Sequence, residues 1–227
     1  MSKPSFGQAL HALNLIKAKD PTSEQLAALY ESGILSDILD VDLWNIDRDA
    51  VRAALKKFIR WRSFLIGGVN KNTLLARIDV GFSIEYWARN LMAQRPFTTH
   101  RPEKRIETIM LSPAGLGYKR IPSIRELLHP GCLAQWNMRN AHRLPDGYSI
   151  ELLPAEAGPH IREQYKDQPK GEVLWIAMKR IIDSEGDPRV FVLENKGSML
   201  GELSAHNTDI KDALDSSSRI VFHLRKV

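Results

Sequence analysis

From Val173 to Met178 the chain reads Val-Leu-Trp-Ile-Ala-Met, six residues with no polar side chain among them. A strand with one face in water alternates apolar and polar residues. A strand that is apolar on both faces must be covered on both, so this run predicts a central strand of a sheet, taken here over Val173–Ile182. It is entered from a polar segment that packs His160, Arg162, Glu163, Tyr165, Lys166, Asp167 and Lys170 into eleven residues. It is left through Asp183-Ser184-Glu185-Gly186-Asp187-Pro188, turn chemistry that predicts a hairpin returning over Arg189–Glu194.

Other segments of the second half fit around such a strand. Ile106–Leu111 and Tyr148–Leu153 read as strands, and Ile220, Phe222 and Leu224 alternate in a last one. Pro122–Leu128 and Leu133–His142 read as helices on either side of Pro130-Gly131. Gly158-Pro159 opens another, with Ile161 and Tyr165 four apart and facing inward. The polar stretch 196–218 reads as a long loop with a short helix near Asp209–Leu214. These elements predict an α+β fold with a mainly antiparallel sheet.

The first half reads as helices. Thr22-Ser23-Glu24-Gln25 has the form of a capping box, followed by Leu26, Leu29 and Tyr30, with Gly33 as a stop. Ile34, Leu35, Ile38 and Leu39 repeat the pattern. Asp47 caps a further helix with a stripe of Val51, Ala54, Leu55, Phe58 and Ile59. Gly67-Gly68 with Asn70 marks a turn, Thr73–Ile78 a helix, and Ser83 caps one carrying Ile84, Trp87, Leu91 and Met92. The texture changes at Arg95-Pro96, and residues 95–104 read as a linker. The expected organisation is a helical domain over 1–97 and an α+β domain over 103–227.

Apolar runs such as Phe64-Leu65-Ile66 fall far short of the ~20 residues that cross a bilayer. The N-terminus lacks a secretory h-region, so no membrane partner is expected. Cys132 is the only cysteine, which excludes an internal disulfide and a cysteine metal cage. Together these predict a cytoplasmic protein. Charge is unevenly spread. Residues 1–49 carry four Lys/Arg against eight Asp/Glu, residues 50–100 nine against two, and the remainder nineteen against seventeen. The basic block either faces an anionic partner or docks against the acidic one.

No dinucleotide fingerprint, phosphate loop, zincin or nucleophile-elbow motif occurs, and none of the seven histidines has convincing metal-ligand spacing, so no cofactor or metal is implied. His160 stands three residues before Glu163, a histidine near a carboxylate and so the raw material of a general base. With Arg162, Tyr165 and Lys166 to stabilise a phosphate, it forms a candidate catalytic set. The same residues also suit a solvated amphipathic helix anchored by Tyr165. The candidate nucleic-acid contacts are Arg52, Lys56, Lys57, Arg60, Arg62, Lys71 and Arg77. The leading expectation is a non-enzymatic macromolecule-binding protein, nucleic acid slightly favoured. The alternatives are a metal-independent enzyme cleaving RNA or phosphate esters through His160 and Glu163, and a protein–protein interaction module.

The segment LLPAEAGPHIREQYKDQPKGEVLWIAMKRIIDSEGDPRVF, with FHLRKV at the end, resembles the C-terminal module of an uncharacterised family of hypothetical proteins from uncultivated small-genome bacteria. EQLAALYESGILSDILDVDLWNIDRDAVRAAL and SIEYWARNL are similar to its N-terminal portion. The resemblance covers most of the chain and implies no activity or catalytic residue.

Overall fold

The computed structural model describes residues 60–118, 120–141, 144–197, 201–210, 214–215 and 218–227, with Asn14 and Leu26 upstream of them. The chain divides into two compact units, Met1–Val51 and Arg52–Val227, and the described residues from 60 onward belong to the second. The helices expected before residue 60 lie outside the described residues, as do Arg52, Lys56 and Lys57.

The elements follow in chain order. Strand β1 (Ser63–Ile66) leads into helix α1 (Lys71–Gly81), then β2 (Ser83–Ile84), α2 (Tyr86–Ala93) and β3 (Lys104–Leu111). After these come α3 (Ile124–Leu127), α4 (Pro130–Asn140), β4 (Tyr148–Glu151) and α5 (Ala157–Gln164). The chain closes with β5 (Val173–Ile176), β6 (Ile181–Ile182), β7 (Pro188–Glu194), β8 (Glu202–Asn207) and β9 (Arg219–Lys226). The strands form one sheet in the order β1-β3-β9-β5-β7-β8-β2, with β4 also on β9 and β6 on β7. Among the described strands only β2–β8 and β5–β9 are parallel, so the sheet is mixed and largely antiparallel, and the fold class is α+β.

The apolar run does become a central strand. β5 lies between β7 and β9, and both of its faces are buried. Leu174, Leu193 and Leu203 line up across β5, β7 and β8 on one face, and Trp175, Val192 and Ser204 on the other. The strand is shorter than expected because the chain leaves the ladder at Ala177. Met178 then bridges to Leu153, and pairing resumes in β6, which forms the expected hairpin with β7. In that hairpin the Asp183 carboxylate turns inward, accepting the amides of Glu185 (2.8 Å) and Asp187 (2.9 Å) and pairing with Arg189. An acid-rich turn is here a folded-in cap on its own backbone.

Helix α5 covers the Leu193 face. Gly158 lies so close to Phe191 that a Cβ would stand 2.8 Å from the phenylalanine Cβ, which only glycine avoids. Ile161 and Tyr165 face inward, as their spacing predicts.

Three expectations differ from the structure. Phe64-Leu65-Ile66 is part of a strand, β1, paired to β3, and Ser83–Ile84 is a strand paired to β8. Helix α2 begins only after Glu85. Because these pairings join residues 63–84 to the sheet built from residues 104–226, the division falls at Val51/Arg52 and not at 97/103. Third, the stretch read as a loop over 196–218 contains β8. Its Leu203 and Ala205 are buried among four polar residues, a pattern that composition alone reads as loop. The short helix expected near Asp209–Leu214 includes residues outside the described set. No described helix is long and apolar enough to cross a membrane.

Candidate functional site

The polar segment on α5 is turned into the fold. β1 is an edge strand, and outward-facing amides on such an edge invite pairing with another chain. Two side chains one helical turn apart occupy them. The Nε2 atom of His160 accepts the Gly67 amide at 3.1 Å. The Gln164 amide accepts the Leu65 N–H at 3.0 Å and donates to its carbonyl at 2.7 Å, as a neighbouring strand would. An accepting Nε2 places the ring proton on Nδ1, which lies 3.7 Å from Glu163. Burial holds the imidazole pKa below its ordinary value, against the pull of Glu156 and Glu163.

Arg162 is fully buried. Its guanidinium donates to the Gln168 side chain and the Tyr165 carbonyl and lies 4.3 Å from the centre of the Phe82 ring. Desolvation lowers its pKa to about 10. The Tyr165 hydroxyl donates to Glu172 at 2.9 Å, and burial raises its pKa. Lys166 is exposed. The helix carries three of the five candidates, His160, Arg162 and Glu163, with Tyr165 as its C-cap and Lys166 beyond it, and His160, Arg162 and Tyr165 each meet protein partners in different directions.

Most described members of the basic block are also occupied. Arg60 pairs with Glu107 at 2.7 Å and donates to the Tyr148 hydroxyl at 2.9 Å. Arg62 holds both oxygens of Asp167 at 2.8 Å, and Arg77 stands 3.7 Å from Glu163. Lys71, at the start of α1, is half-buried without a carboxylate among the described residues. Surface pairs of this kind are worth about 0–1 kcal/mol, so each would be weakly held yet must open before a phosphate could take its place.

Positive charge with fewer carboxylate partners collects elsewhere. Two cavities of about 450 and 380 Å³ share Arg125, Lys179 and Arg180. Arg125 is presented by α3, whose single turn is fixed by a capping box. Ser123 accepts the Glu126 amide at 3.2 Å, and Glu126 accepts the Ser123 amide at 3.0 Å. Lys179 and Arg180 sit where the chain leaves the sheet between β5 and β6. His129, on the wall of the smaller cavity, caps α4 by accepting the Gly131 amide on Nδ1 at 3.1 Å, which leaves its proton on Nε2. Among the described residues Asp209 is the one acidic residue lining either cavity, 3.4 Å from Arg180. Arg125 and Lys179 have no carboxylate partner among the described residues. Three cations facing one carboxylate among the described residues can take up an anion at little cost in lost ion pairs.

A third cavity, of about 450 Å³, is lined in part by Glu172, Trp175, Glu194, His206 and Arg219. Its carboxylates are set apart by their surroundings. Glu194 is buried, with one oxygen 2.9 Å from His206 Nε2 and the other 2.8 Å from Lys196, whose ammonium also reaches Glu202 at 2.7 Å. These bonds, that of His206 foremost, hold its pKa at about 2. Burial moves Glu172 the opposite way. A histidine held by a buried carboxylate, with its ring 5.3 Å from Trp175, can move a proton for a bound ligand.

Sequence reasoning missed both arrangements. Arg125, Lys179 and Arg180 come from segments joined only by the fold. The one local signal was Lys179-Arg180 directly after an apolar strand. The fold and cleft define an α+β protein with a cationic surface site. Comparison with protein-family models, curated proteins and solved structures finds no match.

Proposed function

We propose that the protein binds nucleic acid through phosphate contacts from Arg125, Lys179 and Arg180, without catalysing a reaction on it. The observation that carries this reading is three cationic side chains against one carboxylate on two cavities that share a wall. It moves the phosphate contacts from the paired arginines of residues 50–100 to the corner between α3, α4 and the β5–β6 connection. A helical N-terminal unit and a cytoplasmic location, where Cys132 stays reduced, belong to the same proposal.

The test is fluorescence anisotropy of a labelled oligonucleotide across a salt series. Affinity should fall steeply with salt, by about 0.7–0.9 in log–log slope for each phosphate contact. Lys179→Glu with Arg180→Glu should flatten that slope by one to two contacts. No binding at low salt by a folded protein sinks the proposal.

The Glu194–His206 contact supports a second reading, an enzyme that cleaves phosphate or carboxylic esters with His206 in place of His160 as the proton-transferring group. In that case His206→Ala should reduce turnover of model esters about a hundredfold or more. An inactive wild-type protein removes this reading.

A further inference from the structure

The two cavities that share Arg125, Lys179 and Arg180 differ in the rest of their walls. The larger is completed by Ile182, Gly186, Pro188 and Asp209. The smaller is completed by Leu128, Pro130, Leu152 and Met178, with His129 at its edge. Met178 is fully buried and Leu128 nearly so, which makes an apolar floor beneath a cationic rim. A phosphate held at the rim would bring the rest of its nucleotide against that floor. Guanidinium planes at the rim can stack on a heterocycle, and the Nε2–H of His129 can donate to its edge.

Resting on the nucleic-acid reading, we infer that the bound strand is single and that one unstacked base enters the cavity of Leu128, Pro130, Leu152 and Met178. A base inside a duplex is paired and stacked, so it cannot fill such a cavity without leaving the helix. A single strand offers its bases freely. The apolar cavity therefore selects strandedness, while the shared cations supply affinity with little dependence on sequence.

The experiment uses the full chain and four probes: a labelled single strand of about a dozen nucleotides, an abasic strand of equal length and charge, the matching duplex, and a free mononucleotide. The intact single strand should bind about tenfold more tightly than the abasic strand, in line with the contribution of one stacked base. It should also bind more tightly than the duplex and the mononucleotide. Leu152→Asn, a half-buried neutral change, should narrow the gap between intact and abasic strands at least threefold and leave the abasic strand's salt slope unchanged. A melting curve confirms that this variant is folded. Equal binding of intact and abasic strands, or preference for duplex or mononucleotide, overturns the inference and leaves the phosphate contacts standing. Failure of every probe to bind removes the phosphate contacts as well.

Discussion

Helix α5 and the connection between β5 and β6 have similar densities of polar residues beside the same apolar strand, and the fold uses them in opposite ways. On α5, His160 and Gln164 close the edge of β1, and Arg162 and Tyr165 bond within the core. At the connection, Lys179 faces open space together with Arg125. The helix shows that reactive residue types crowded into one segment can be taken up by neighbouring backbone and side chains, as His160, Arg162 and Tyr165 are. The connection shows that available charge comes from segments distant in sequence, because such residues have no local partner to neutralise them.

The comparison can be broken by substitutions that should damage folding on one side and binding on the other. The largest effect is expected at Gly67, which anchors the loop opposite His160. Its φ is +83°, and a Cβ there would lie 2.7 Å from the Pro102 carbonyl oxygen, so Gly67→Ala should cost about 3 kcal/mol in denaturant unfolding. His160→Ala empties a buried site and strips the Gly67 amide of its acceptor, for a loss of about 2–3 kcal/mol with strand affinity unchanged. Because burial lowers the pKa of His160, the folded state favours the neutral ring. Its contribution is full above the ordinary value of 6.5 and is lost as pH falls below it, so melting curves of wild type and variant should converge in that direction.

Glu194 sharpens the comparison at lower pH. Its pKa is depressed from 4.5 to about 2, so its contribution is present above pH 4.5 and is lost as pH falls toward 2. The stability gap between wild type and Glu194→Gln, on the order of 2 kcal/mol near neutrality, should close across that window. Gln164→Ala uncovers one edge peptide and should cost about 1 kcal/mol. The smallest change in stability belongs to Lys179→Ala, within about 0.5 kcal/mol, yet this variant should weaken strand binding.

Elements with a strong local signal were legible in the sequence. The apolar run gave the central strand, Asp183–Pro188 gave the hairpin, and Ile161 with Tyr165 gave the buried face of α5. β1 and β8 were not legible for different reasons: β1 owes its structure to a partner distant in sequence, and β8 is polar in composition although it pairs with the neighbouring β7. Three apolar residues at Phe64–Ile66 become a strand only against β3, and the polar β8 only against β7. The site followed the same rule. Residue chemistry singled out His160 as a candidate general base, whereas its contact with the Gly67 amide depends on where the β1 edge lies. The cleft depends on Arg125 meeting Lys179 and Arg180, which no spacing along the chain records.

The most direct test puts the two regions side by side: anisotropy of one labelled single strand, in one salt series, with His160→Ala and with Lys179→Glu/Arg180→Glu, each verified as folded. The account predicts wild-type affinity and slope for the His160 variant, and at least a tenfold loss with a flatter slope for the double variant. Loss of binding in the His160 variant, with the double variant unaffected, would contradict it.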